Sequence, residues 1–116
     1  MDEEYNALMS IGAHPARSVF WLGRRLGSHS AKLDGSRRIL VEWYNFGDDV
    51  AYEYVSQMAF ERADQPRLAE ALGIPVESGP EVVLAALAER FSYFFDIQSF
   101  ANARRIPYAK STDFNP

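Results

Sequence analysis

The chain contains no cysteine. That excludes a disulfide scaffold, a thiolate zinc site and a cysteine nucleophile together. Also missing is any apolar run approaching the ~18 residues of a membrane-spanning helix. The opening residues Met1-Asp2-Glu3-Glu4 are acidic, where a secretory leader is basic. A cytoplasmic protein with no membrane association is the expectation. Internal repeats, low-complexity runs and linkers are lacking as well. The 116 residues therefore read as a single domain, 1–116, with the tail 109–116 frayed.

Motifs that name a reaction are lacking too. Histidine is scarce, and neither His14, before a proline, nor His29, in Ser28-His29-Ser30, belongs to a helical zinc pair. Either could act as an acid or base, but neither has a recognisable nucleophile or orienting partner beside it in sequence. Gly23-Arg-Arg-Leu-Gly27 lacks the spacing and the Lys-Ser/Thr ending of a phosphate-binding loop. Asp48, Asp49 and Glu53 could hold a magnesium ion, although acids at a helix start serve more simply as caps and dipole partners. The reading is a non-enzymatic protein without metal or cofactor.

What the sequence does have is aromatic residues, arginine and segregated charge. Hydrophobic residues make up 47% of the chain and charged residues 24%, the balance of a folded domain. The net charge of −4 is unevenly spread: residues 17–38 carry +5, while 39–64 carry −5. Ten of the twelve basic residues are arginine, six of them in the pairs Arg24-Arg25, Arg37-Arg38 and Arg104-Arg105. Arginine's planar fork suits carboxylate or phosphate and stacks on aromatic rings.

The fold depends on how Glu42-Trp-Tyr-Asn-Phe-Gly-Asp-Asp-Val-Ala-Tyr-Glu-Tyr54 is read. Its aromatic and β-branched residues favour strands. A half-buried strand should alternate, however, and residues 39–46 are mostly apolar on both faces. At 100° per residue, 48–62 sorts into an apolar arc of Val50, Tyr54, Met58, Ala51, Val55, Ala59 and Tyr52 opposite Asp49, Glu53, Ser56 and Gln57. This favours two helices meeting at Gly47, within a mainly α array of about six helices. An α+β fold with a β-hairpin at about 38–56 is the alternative. Further helices are expected at 2–12, from Pro15 to Leu26 with Gly27 as a stop, and from Asp64 to Leu72 closed by Gly73. Ser78-Gly-Pro-Glu81 has capping-box spacing and should open the longest helix, with Val83, Leu84, Leu87, Ala88, Phe91, Phe94 and Phe95 as its stripe. A last turn or two groups Ile97, Phe100 and Ala101. Residues 27–36 read as a loop.

Three surfaces follow from these elements. A basic, aromatic face of Arg17, Trp21, Arg24 and Arg25 has the composition of an interface anchor, unless the 27–36 loop covers Trp21. An acidic face of Asp49, Glu53, Gln57 and Phe60 would suit a basic partner. A minor apolar strip of Val82, Ala86 and Tyr93 could serve a homodimer. The leading functional expectation is a small module that binds another protein. It would act as a stoichiometric inhibitor or immunity-type protein occluding a toxin or a nucleic-acid-handling enzyme. The alternative is a nucleic-acid accessory protein using Arg17, Trp21, Arg24 and Arg25, and the third is a small enzyme with an acid/base histidine.

Overall fold

The computed structural model describes residues 18–45 and 53–115. Over these the fold is α+β, not mainly α. Five strands, β1 (Val19–Arg24), β2 (Ser28–Leu33), β3 (Ile39–Asn45), β4 (Glu53–Phe60) and β5 (Ala109–Asn115), form one antiparallel sheet in the order β1-β2-β3-β4-β5. Between β4 and β5 come a short 3-10 turn (Arg62–Asp64) and helices α1 (Gln65–Ala71), α2 (Pro80–Arg90) and α3 (Phe94–Ala103). The hairpin at 38–56 is thus the arrangement adopted. Leu40 faces Ala59, Glu42 faces Gln57 and Asn45 faces Tyr54. The helix expected from Pro15 to Leu26 is replaced over 19–24 by β1, and the loop expected at 27–36 contains β2. The segment expected to fray forms β5, paired with β4 from Ala59↔Ala109 to Glu53↔Asn115. The proposed helix at 2–12 and the corner at Gly47 lie outside the described residues.

The physical reason is burial on both faces. In β3, Ile39 and Val41 point at the helices and are fully buried, while Leu40, on the opposite face, is only 6% exposed. Its cross-strand neighbour Ala59 is 4% exposed. A strand buried on both sides loses its polar–apolar alternation and reads as a continuous apolar run. Such a run cannot be told from a buried helix by periodicity alone. β2 does alternate: His29 and Ala31 are buried, while Ser28, Ser30 and Lys32 occupy the other face.

The three described helices lie on one face. α2 packs over β1 and β2, and α3 over β3. Ala31, Val41, Met58 and Phe60 from the sheet meet Leu68, Val83, Leu84, Leu87, Phe94, Ile97 and Ala101. Burying a large apolar side chain fully stabilises by about 1.5–3 kcal/mol. α1 forms as its sequence suggests. Pro66 lies in its first turn. Gly73 adopts φ +79, donating to the Glu70 carbonyl while Ile74 donates to that of Ala69, the paired bonds of a Schellman stop. The Ser78 hydroxyl donates to the Pro75 carbonyl rather than capping α2, so the capping box is not formed. The long helix expected through Phe95 is broken: Phe91 and Tyr93 are extended, and α3 starts afresh at Phe94.

Two tight turns set the register. Between β1 and β2, Leu26 has φ 59 and Gly27 has φ 125. The Trp43 indole N–H donates to the Leu26 carbonyl at 2.7 Å. Between β2 and β3, Asp34 Oδ1 accepts from the backbone N–H groups of Ser36 and Arg38, both at 2.9 Å. Its Oδ2 accepts from Arg38 Nε at 2.7 Å. Arg37 pairs with Glu81 in the first turn of α2, and Gln65 Nε2 donates to the Arg37 carbonyl at 2.8 Å, so this turn is pinned to both helices.

A Cβ at Gly27 would stand 2.5 Å from the Tyr44 carbonyl oxygen, in a conformation side chains rarely adopt. Gly27→Ala is therefore expected to lower unfolding free energy by about 1–3 kcal/mol, read as a lower urea midpoint. A midpoint equal to wild type would contradict this geometry. The turn also titrates. The Arg38 backbone N–H does most to hold the Asp34 carboxyl below its ordinary value; partial desolvation opposes it, and the Arg38 guanidinium and the Ser36 N–H add to the lowering. Glu81 is lowered by its own backbone N–H and then by Arg37. Carboxylates with depressed folded pKa values stabilise above their unfolded values, and that contribution is lost as pH falls through the folded ones. Stability should therefore decline below about pH 4. Asp34→Asn with Glu81→Gln should flatten that acid limb in urea unfolding followed across pH, and an acid limb as steep as that of wild type would count against the assignment.

Candidate functional site

Opposite the helices, the sheet presents its other face, and one corner of that face is hollow. The cross-strand row Trp21–Ser30–Glu42–Gln57 runs across it, beside the row Arg24–Ser28–Tyr44–Val55. The two serines of β2 are small, so a trough forms between the large side chains of β1 and β3. One concavity of about 360 Å³ is lined by Trp21, Ser28, Ser30, Glu42, Tyr44 and Val55. A second, of about 490 Å³, is lined by Trp21, Gly23, Arg24 and Ser28. Trp21 also borders a third, of about 510 Å³, against Val82, Ala85 and Ala86 of α2. The indole stands between all three and is 73% exposed.

A β-bulge makes this corner possible. Residues three apart in a regular strand point to opposite faces. In β1 the register slips between Trp21 and Gly23, so Leu22 is the extra residue and Arg24 pairs with Ser28. Trp21 and Arg24 consequently share the open face, while Phe20 and Leu22 pack toward the core. Gly23 lies where the strand approaches the break between α2 and α3: a Cβ there would meet the Ser92 carbonyl oxygen at 2.9 Å. Bulges redirect side chains in this way next to functional sites.

Of the basic, aromatic face read from sequence, Trp21 and Arg24 are thus brought together. Arg25 is not with them. Its guanidinium stacks on the Tyr93 ring at 4.2 Å, on the helix side of the sheet. Arg17 lies outside the described residues. The acidic face does not exist as a helix surface. Asp49 is outside the described residues, and Glu53 begins β4. Gln57 is on the open sheet face, where its Nε2 donates to Glu42 Oε2 at 2.7 Å, and Glu42 also faces Lys32 Nζ at 3.5 Å. Phe60, expected to be exposed among acids, is fully buried in the core. The strip Val82, Ala86 and Tyr93 is not continuous, because Tyr93 leaves the helix to pack edge-on against His29.

His29 is neither a surface residue nor a free base. It is buried, and both ring nitrogens are engaged. Nε2–H donates to the Arg25 carbonyl at 2.7 Å, and Nδ1 accepts from the backbone N–H of Phe94 at 3.1 Å. One donor and one acceptor describe the neutral imidazole. The ring therefore ties the turn before β2 to the start of α3. His14 lies outside the described residues. Among the described residues no group of three His, Cys, Asp or Glu stands close enough to hold a metal ion, and no helix is long and apolar enough to cross a membrane.

Sequence reasoning missed two signals here. Ser28-His-Ser-Ala-Lys-Leu33 alternates polar and apolar once His29 is counted as buried, and Asp34-Gly35 after it is a hairpin signal. Comparison with family models, with curated proteins and with solved structures finds no match to this chain.

Leaving a buried donor or acceptor unpaired costs about 1–3 kcal/mol per group. His29→Ala strands the Phe94 N–H and the Arg25 carbonyl, so its unfolding free energy should fall by about 2–5 kcal/mol. Urea titration checks this; a loss under about 0.5 kcal/mol, the range of ordinary surface substitutions, would show that the bonds carry no weight.

Proposed function

We propose that this chain is a non-enzymatic module that binds another protein through the open face of its sheet, with Trp21 as the anchor and Arg24 as its charged neighbour. The observation that carries the reading is the exposed indole of Trp21, set between two concavities on the sheet face opposite the described helices and a third at the sheet edge against α2. Tryptophan and arginine are the residues most enriched at binding hot spots, and burying so large a ring on association is favourable. Ser28 and Ser30 supply hydroxyl groups that can bond a partner's backbone or side chains. A cytoplasmic setting fits the absence of cysteine.

The stoichiometric-inhibitor form of this idea relied on an acidic helix surface imitating phosphate. With Gln57 in a sheet and Phe60 in the core, nothing supports that mechanism. A nucleic-acid partner stacking on Trp21 is the competing reading. Glu42 in the same trough places a carboxylate where a phosphodiester backbone would run, which favours protein.

Affinity capture from nuclease-treated lysate, with wild type beside Trp21→Ala and Arg24→Glu, tests the proposal. One stoichiometric protein should be retained by wild type and lost by both variants, whose circular dichroism should match that of wild type. For the isolated pair, Trp21→Ala should weaken binding about thirtyfold or more, the range of a hot-spot tryptophan. A partner held equally by all three proteins would place the interface elsewhere, and a partner lost on nuclease treatment would move the reading to nucleic acid.

A further inference from the structure

On the helix side, far from Trp21 in the sequence, Arg67 of α1 and Arg104-Arg105 at the end of α3 line a groove of about 540 Å³ whose remaining wall is Glu70, Ala71 and Ile106. We propose that this groove binds a single phosphate monoester.

Among the described residues none of the three arginines has a carboxylate within salt-bridge distance, whereas Arg37 and Arg38 are both paired. A guanidinium carries five donors. The three use one protein acceptor between them, Arg67 Nη1 meeting the Arg105 carbonyl at 3.5 Å. They are not needed as helix caps either. Arg105 and Ile106 close α3 with backbone bonds to Asn102 and Ala101, and Gly73 and Ile74 close α1 in the same way.

The Arg104 side chain and the Arg105 backbone are nonetheless held in place. The Arg104 guanidinium lies 4.1 Å from the centre of the Phe100 ring, and Arg105 occupies the left-handed position (φ 56) where a helix stop ordinarily has glycine. Groups already ordered lose less entropy on binding. Three arginines around one groove offer more donors than the two oxygens of a carboxylate can use, and suit the three terminal oxygens and double charge of a phosphate monoester. Glu70 in the same wall disfavours a polymer of phosphates and leaves room for one.

The test is a nitrogen-15 NMR titration with O-phosphoserine, inorganic phosphate and a phosphoserine peptide, with serine as the blank. Saturable shifts are expected at Arg67, Arg104, Arg105 and Ile106, with none at Trp21. Arg67→Gln and Arg104→Gln should each weaken binding about tenfold, and Arg104→Lys, which keeps the charge and loses the fork, nearly as much. Glu70→Gln should tighten it. Equal affinity for inorganic phosphate and the peptide would identify a small-molecule source. Tighter binding of the peptide would identify a modified protein, and either result upholds the site. Linear, unsaturable shifts, shifts spread over all surface arginines, or unchanged affinity in the Gln variants with unchanged melting temperature would overturn it.

Discussion

The imidazole of His29 stands where three elements meet. It projects from β2, donates to the Arg25 carbonyl in the turn before it, and accepts from the first amide of α3. A buried ring that satisfies both neighbours is worth more than its own bonds, because its loss leaves their polar groups dry and unpaired. It also explains why the helical stripe breaks at Phe91. The extended segment through Tyr93 brings the Phe94 N–H to Nδ1 and the Ser92 carbonyl against Gly23, contacts a continuous helix would forfeit.

Around that tie runs a set of aromatic contacts. Tyr93 meets His29 edge-on at 5.0 Å, Phe95 meets Tyr93 at 5.5 Å and Trp43 at 5.2 Å. Trp43 then returns to the hairpin turn through its bond to the Leu26 carbonyl. Such ring pairs add about 0.5–1.5 kcal/mol each beyond the area they bury. The turn of residues 25–27 is thereby clamped from the sheet, from α3 and by the stacking of Arg25 on Tyr93. With the turn fixed, the bulge in β1 is fixed too, and so is the presentation of Trp21 and Arg24. The exposed corner on one face is held by polar and aromatic bonds on the other.

The arginines divide by what they touch. Arg37 and Arg38 are used up in the β2–β3 turn and its link to α2, Arg25 stacks on Tyr93, and Arg90 and Arg104 lie over Phe100, a contact that leaves their N–H donors available. Composition alone could not assign these roles, since each depends on which acid or ring the fold delivers. Arg24, whose neighbour in sequence is spent on stacking, is directed to the open face by a single inserted residue.

Several features were legible in the residues themselves. Gln65-Pro66 to Gly73 reads as a short helix because its start and stop signals are local, and it forms as one. Asp34-Gly35 marks a turn for the same reason, and the aromatic, β-branched run 39–45 contains strand propensity that tertiary packing honours. The absence of cysteine and of catalytic motifs is likewise a property of the sequence alone. Whether residues 39–45 and 53–60 are helix or strand was not so determined. Leu40 and Ala59 are buried on the face opposite Val41 and Met58, which erases the alternation that marks a strand, and only the pairing of β3 with β4 resolves the ambiguity. Nor could the sequence place Phe60 in the core, His29 between two backbone groups, or Trp21 and Arg24 on one face. Those positions depend on register, and register is set by turns, a bulge and hydrogen bonds between residues far apart in the chain.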